Sequence, residues 1–305
     1  MLQLQLDMNI LELEHINKTY GKHQANRDIS FVVPKGSIYG MLGPNGAGKS
    51  TMIRIITNII AADSGVVRFN GEVFKEQHHQ LIGYMPEERG LYKKMMVGEQ
   101  LVYLGRLKGL SKAEATKKVK DWLEKLHIAD WWSKKIEDLS KGMQQKVQFI
   151  ATTLHDPMLL ILDEPFSGLD PVNSNLIKDE IFELQRKGTT IIFSTHRMEQ
   201  VEEICEEIVL INNGQNILQG HVKEIRQRFK ENKYQVLYNG EALLSALNGY
   251  DVVEQGNGKL ILKATQGQSP NQLLRALLDQ GLEIHHFNEI LPSINEIFIR
   301  QVQAS

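Results

Sequence analysis

Gly43-Pro44-Asn45-Gly46-Ala47-Gly48-Lys49-Ser50-Thr51 is the stretch on which the reading of this chain turns. Strand-forming residues precede it (37–42) and a helical pattern follows it (52–60). The pattern is G-x-x-x-x-G-K-[ST], in the strand–loop–helix setting its chemistry requires. Glycines let the backbone curl until several N–H groups face one centre, and the following helix adds its positive end. That is a cradle for phosphate, formed by Gly43, Asn45, Gly46, Gly48 and Thr51. Lys49 is placed to bridge a β- and a γ-phosphate, and Ser50 to set its hydroxyl on Mg2+. The fixed positions coincide by chance in roughly one chain per hundred of this size. A merely structural turn has no use for the lysine.

Working outward, Leu159-Leu160-Ile161-Leu162-Asp163-Glu164 reads as an apolar strand ending in two acids. In a doubly wound sheet such a strand end lies beside the phosphate loop. Asp163 is then placed to hold Mg2+ through its water shell. Glu164 lies one residue further on, where a carboxylate can polarise an attacking water. The plain alternative is a solvated strand end or a helix cap. Four aliphatics before the acids, and Pro165 after them, favour the site.

From residue 10 to about 220, short β-rich runs (11–16, 29–33, 37–42, 81–84, 159–162, 190–194 and 208–211) alternate with helical stretches. The continuous apolar runs suit a parallel sheet covered on both faces. Ser111 and Glu114 make a capping box ahead of Val119, Trp122, Leu123 and Leu126 at helical spacing. Asp170-Pro171 opens a further helix and Gly188 lies just past its end. The class is α/β. After about Val222 the order becomes βαββαβ: a strand at 234–238, a helix at 241–247, a hairpin of 250–254 and 259–263 around Gly256-Asn257-Gly258, a helix from Ser269 to 278, and a strand at 284–287. A last helix, capped by Ser293 and Glu296, carries Ile297, Phe298 and Val302. This predicts a small α+β, ferredoxin-like domain. The expected domains are residues 1–222, with a helical subdomain at about 88–155, and 223–305. A charged helical segment (223–233) joins them.

Composition sets outer bounds. At roughly 150 residues per domain, 305 residues fit two domains. Lys plus Arg number 35 and Asp plus Glu 37, a net charge of −2 that gives no sign of a nucleic-acid binder. A single cysteine, Cys205, excludes an internal disulfide. No run approaches the ~20 apolar residues of a membrane span. Residues 1–8 carry no early positive charge and do not read as a signal peptide. They fit an extra strand turn or an upstream start ahead of Met8. The expectation is a cytoplasmic protein that meets a membrane only through a partner.

With these motifs in view, the chain resembles the ATP-binding subunit of an ABC (ATP-binding cassette) transporter. Leu139-Ser140-Lys141-Gly142-Met143-Gln144-Gln145-Lys146 is similar to the family signature LSGGQ, and Ser167-Gly168-Leu169-Asp170 to its D-loop. His196 matches the switch histidine, and Tyr20 in Lys18-Thr19-Tyr20-Gly21 the aromatic that stacks on adenine. Order and spacing match over about residues 10–220. The resemblance implies a P-loop NTPase core, ATP and Mg2+ as ligands, and hydrolysis by Glu164 with Lys49 and His196 stabilising charge. It further implies a head-to-tail dimer in which Ser140 and Gly142 of one subunit meet the γ-phosphate held by the other. A separate integral membrane permease is the expected second partner, on the inner face of the cell membrane. No nucleic acid is expected.

Two departures stand out. Lys141 and Met143 replace a glycine and a glutamine of the signature, while Ser140 and Gly142 remain. Lys141 either adds charge near the γ-phosphate or faces water. The Q-loop position is Glu87, in Gly83-Tyr84-Met85-Pro86-Glu87-Glu88-Arg89, a carboxylate that can still reach Mg2+. The run 85–92, the LSKGM variant and the tail resemble the ABC-2-type export group, including sodium-efflux-type ATPases. Export is therefore expected over import. A soluble ABC ATPase acting on nucleic acid or ribosomes is the alternative. Translation-type members carry two cassettes, and the 90 residues between Lys49 and Leu139 leave no room for the long coiled coil of repair-type members. A regulatory module with little turnover is a third reading, opposed by Glu164 and His196. Trp131-Trp132 is expected to pack, Cys205 to be a packed thiol, and His78-His79 and His285-His286 to sit exposed or at caps. Lys93-Lys94-Met95-Met96 is expected on a docking surface for the permease.

Overall fold

Gly21, in the left-handed region at φ 58°, turns β1 (Asn9–Tyr20) back onto β2 (His23–Pro34). Ile29, Phe31 and Val33 alternate inward along β2. β3 (Ile38–Leu42) crosses to a second sheet and runs through the phosphate loop into α1 (Lys49–Ile56). β4 (Ser64–Phe69) and β5 (Glu72–Val73) return to the first sheet, which is antiparallel with order β2-β1-β4-β5. A single parallel sheet is therefore not what the first 73 residues build. The runs at 11–16 and 29–33 belong to this antiparallel sheet, because β1 and β2 are joined by a tight turn that a parallel pair cannot use.

The second sheet adds β6 (Ile82–Met85), β7 (Leu159–Asp163), β8 (Thr190–Thr195), β9 (Glu207–Asn212) and β10 (Gln215–His221), in the order β10-β9-β3-β8-β7-β6. Every pairing is parallel except the β9–β10 hairpin. β3, β7 and β8 are buried at every position, as their aliphatic runs require. Register places Leu42 opposite Thr195 and Asp163 opposite Ser194. The segments that follow these three strands thus leave side by side at the carboxyl ends of the parallel strands. Leu11, Leu13 and Phe31 of the antiparallel sheet, Met52, Ile53 and Ile56 of α1, and Met41, Ile161 and Val209 of the parallel sheet form one core. Helix α1 ends at Ile56, earlier than its sequence pattern suggests, and Asn58 follows with φ 53°.

α2 (Val97–Leu107), α3 (Lys112–Lys125) and α4 (Lys141–Thr153) form the helical layer. The Ser111 capping box closes as expected: Glu114 N–H donates to Ser111 Oγ at 3.2 Å and Ser111 N–H to Glu114 Oε2 at 2.9 Å. The Trp132 ring lies so close to Gly98 that a Cβ there would sit 2.5 Å from it. Lys125 joins α3 to α5 (Pro171–Arg186) through Glu180 and, at 2.8 Å, Glu183. Asp170 caps α5 by accepting from Asn173 N–H at 2.9 Å. Cys205, buried, ends α6 (Met198–Ile204). His78 sits at a cap, one of its two expected places, and supplies the reciprocal bond of a capping box to Lys75. It is buried against Phe69 and Phe74, and its Nδ1 accepts from Lys75 N–H at 3.1 Å. Phe74 precedes it by four residues, and Phe69 comes from β4.

The computed structural model describes residues 9–88, 90–240, 247–265 and 267–303. They divide into one unit ending at His221 and a second starting at Val222. The second unit opens with α7 (Val222–Arg228) and continues with β11 (Lys233–Asn239), β12 (Tyr250–Gly256), β13 (Lys259–Ala264), α8 (Pro270–Leu278), β14 (Glu283–Ile290) and α9 (Ile294–Gln303). Its sheet is antiparallel with order β12-β13-β11-β14, the ferredoxin-like arrangement. Tyr234, Val236, Leu260 and Leu262 pack against Leu273 and Leu277 of α8. The helix expected at 241–247 lies outside the described residues except for Leu247, as do residues 1–8.

Candidate active site

The phosphate loop has the backbone its glycines permit. Gly43, Gly46 and Gly48 hold φ of 149°, 79° and 108°. A Cβ at Gly43 would overlap the Ile211 carbonyl oxygen, and one at Gly48 the Ala25 carbonyl oxygen. No other residue fits either place. Asn26, fully buried, donates from Nδ2 to Gly48 O at 3.2 Å, and Gly214 N–H donates to Ala47 O at 2.9 Å. The loop is thereby held from β2 and from the β9–β10 turn. Lys49, 8% exposed, donates from Nζ to Gly43 O at 2.7 Å and to Pro44 O at 3.1 Å. Burial lowers its pKa, opposed by Asp163, Glu164 and Glu87.

The loop from Asn45 to Thr51 lines a cleft of about 370 Å³. Tyr20, Asn45, Gly46, Gly48, Lys49, Ser50, Thr51, Glu87, Asp163 and Glu164 all border it, joined by His23, Ala25 and Ala47. Tyr20 presents a half-exposed ring at one end. Asp63 fixes the strand that carries it, accepting from Lys18 Nζ at 2.8 Å and from Thr19 N–H at 2.7 Å. Gly43 contributes its carbonyl to Lys49 and does not border the cleft. Ser140 and Gly142 do not border it either. Ser140 caps α4, accepting from Met143 N–H at 3.3 Å, and is exposed together with Lys141. Gly142 lies against the D-loop, where a Cβ would come within 2.9 Å of Gly168 O.

Glu164 is held on every side. Its backbone is left-handed at φ 51°, and its N–H donates to Ser194 O at 2.9 Å. Oε1 accepts from His196 N–H at 2.8 Å and lies 2.6 Å from His196 Nδ1. Oε2 accepts from Thr195 Oγ1 at 3.1 Å. Behind it, Gln145 Nε2 donates to Glu164 O at 3.3 Å and Pro165 O at 3.0 Å, while Gln148 Nε2 donates to Pro86 O at 2.8 Å. Sequence motifs did not single out Asn26, Asp63, Thr195, Gln145 or Gln148 for these roles. The two glutamines carry one available signal, a three-residue spacing on the signature helix.

Burial raises the Asp163 carboxyl above its ordinary range, and Glu87 and Glu164 push the same way against Ser194 and Lys49. Three carboxylates thus share the cleft with one lysine. Ser50, Asp163 and Glu87 offer hard oxygen donors, the set that suits Mg2+. Among the described residues no three His, Cys, Asp or Glu side chains make a metal cage by themselves. No helix of the described residues is long and apolar enough to cross a membrane.

The chain is similar to known proteins in sequence and in fold. The ABC transporter family model matches residues 26–167, and the model of the ATP-binding protein DrrA1-3-like, C-terminal domain matches residues 220–302. An uncharacterized ABC transporter ATP-binding protein of Bacillus subtilis, YhaQ, is 42% identical over 97% of this chain and 99% of its own length. The linearmycin resistance ATP-binding protein LnrL of the same organism is 37% identical over 72% of this chain and 71% of its own. The solved structure of an ATP binding subunit of an ABC transporter superposes with a TM-score of 0.68 at 31% identity, covering 72% of this chain and 93% of that one.

Proposed function

The chain belongs to the ABC transporter ATP-binding proteins, and on that premise we propose that two copies close around ATP to drive export through a separate membrane permease. ATP hydrolysis is the activity of the family. The carrying observation is that Lys49, Asp163 and Glu164 converge on one cleft while Ser140 stands outside it. A signature serine that does not border its own chain's cleft serves the nucleotide of a second copy.

The residues divide the work as follows. Loop amides and Lys49 hold the β- and γ-phosphates, and Tyr20 offers its ring to the base. Ser50, Asp163 and Glu87 would hold Mg2+, which when bound neutralises charge on the phosphate oxygens. Glu164 orients the attacking water and takes its proton. Thr195 and His196 fix the Glu164 carboxylate, and the remaining ring nitrogen of His196 is the end available to the γ-phosphate. Ser140 and Gly142 of the second copy add contacts that exist only in the closed dimer, so ATP shifts the population toward closure. Hydrolysis removes those contacts and the dimer reopens.

Export is the direction supported by likeness to LnrL, whose name records linearmycin resistance, and by the DrrA-like C-terminal domain. The permease is proposed to dock on the loop of residues 87–96 and on α2, where Tyr92, Tyr103 and Leu107 are exposed side by side with Leu91 and Leu104. The protein would then lie on the cytoplasmic face of the membrane. The test is Glu164→Gln. It should keep ATP binding, lose hydrolysis at least ~100-fold, and accumulate a dimer on ATP addition in size-exclusion chromatography. Parental turnover in that variant would remove Glu164 from the mechanism. A strictly monomeric ATP-bound species would remove the paired copies.

A further inference from the structure

Lys141 is a signature residue that the mechanism above leaves without a task. It is the first residue of α4, directly after the Ser140 cap, and it is exposed. The first turn of α4 carries no acid. A helix start is the positive end of its dipole, so a cation there gains nothing from its own helix. Among the described residues the Lys141 side chain makes no hydrogen bond or ion pair. Its charge therefore has no counterpart within its own chain.

Glu87 is the opposite case. It borders the nucleotide cleft, beside Ser50 and Asp163. Among the described residues of that cleft, three carboxylates stand against Lys49. Two of the three are engaged: Asp163 is buried, and Glu164 is held by Thr195 and His196. Glu87 is exposed, and among the described residues its carboxylate makes no hydrogen bond or ion pair. Arg54 borders the adjoining cleft with Glu87 and forms no ion pair to it. A bound nucleotide adds further negative charge to this end of the site. The two departures from the family pattern thus run in opposite directions. Position 87 carries a carboxylate in place of a neutral amide, and position 141 an ammonium in place of glycine. Each adds one full charge, and the signs cancel.

We propose that Lys141 of one copy pairs with Glu87 of the other when two copies close on ATP. The inference rests on the paired copies proposed above and deepens that reading. Ser140 and Gly142 flank Lys141 and, on that reading, carry it to the γ-phosphate end of the second cleft, where Glu87 stands with Ser50 and Asp163. Each closed dimer then holds two such pairs. In the separate chains both side chains are solvated. Closure removes water from between them and strengthens their attraction. Without Lys141, Glu87 would meet the γ-phosphate as one negative charge against another, which opposes closure.

The experiment measures dimerisation of the full chain with Mg2+ and a non-hydrolysable ATP analogue, by sedimentation over a range of protein concentrations. Lys141→Gln should raise the concentration of half-dimerisation at least tenfold. Lys141→Arg keeps the charge and should stay within threefold of the parent. In a chain already carrying Glu87→Gln, the same Lys141→Gln change should shift the midpoint less than threefold, because the lysine it removes no longer has a partner. Both side chains are exposed, so melting temperature and the analogue affinity of the monomer should hold, and they check the fold. If Lys141→Gln leaves the parental midpoint, Lys141 faces water, and the pairing is wrong while the dimer stands. If it weakens the dimer equally with and without Glu87→Gln, Lys141 acts on the phosphate and the pairing is again wrong. A parental chain that stays monomeric at every concentration removes the paired copies and this pairing together.

Discussion

Gln145→Leu keeps the volume of a side chain that is 1% exposed and removes its two donated bonds, to Glu164 O and Pro165 O. The bond to Pro165, at 3.0 Å, is the stronger of the two. Losing a hydrogen bond and leaving a buried acceptor bare costs about 1–3 kcal/mol. Taking ~2 kcal/mol, the melting temperature of a unit this size should fall by roughly 4–8 °C. The kinetic effect arises elsewhere. Glu164 sits at φ 51°, a conformation that costs a non-glycine residue about 1 kcal/mol or more and persists only when neighbours enforce it. With Gln145 gone, the main chain behind the carboxylate relaxes and the alignment with Thr195 and His196 loosens. A loss of ~1.4 kcal/mol in the transition state is tenfold in rate. Single-turnover ATP hydrolysis should therefore slow about tenfold. ATP affinity should stay within about twofold, because Lys49 and Ser50 stand on α1 and touch neither carbonyl. A variant that melts lower yet hydrolyses at the parental single-turnover rate would refute the reasoning, since Gln145 would then stabilise the fold without positioning Glu164.

Gly48→Ala should abolish ATP binding in equilibrium titration, because its Cβ meets the Ala25 carbonyl at a backbone φ of 108° that alanine rarely adopts. Ser111→Ala should cost about 1 kcal/mol and roughly 2–4 °C in thermal melts, with turnover unchanged, because it removes only the cap of α3. His155 is lowered from 6.5 to about 4, burial first and Lys108 second. A histidine kept neutral by the fold stabilises fully above its unfolded pKa and loses that contribution as pH falls toward the folded value. Denaturant midpoints should therefore drop between pH 6.5 and 4. His155→Gln should flatten that segment, and an equal slope in both proteins would count against the assignment.

The sequence made the chemistry legible where it is local. The loop at residues 43–51, the two acids after a buried strand and the caps at Ser111, Asp170, Ser269 and Ser293 are contiguous patterns. The four caps close as expected, and residues 45–51 border one cleft with Asp163 and Glu164. The antiparallel sheet was not legible, because β4 carries Gly65 and only a short apolar run, and its partner β1 is about 50 residues away. The cap position of His78 was legible, but its burial was not, because Phe69 on β4 helps to cover it. The support of the site was hidden as well. Asp63, through two bonds, and Asn26, through one, act across the fold and belong to no motif.

Gln145 and Gln148 grip two separated backbones from one rigid rod. The first grip is behind the acid that handles water, the second at Pro86 ahead of Glu87. A rod so clamped cannot slip at one end without straining the other. Resistance met by the transport partner would therefore travel back as drag on the chemical step, so the motor would idle slowly when stalled and fire freely once its cargo moves.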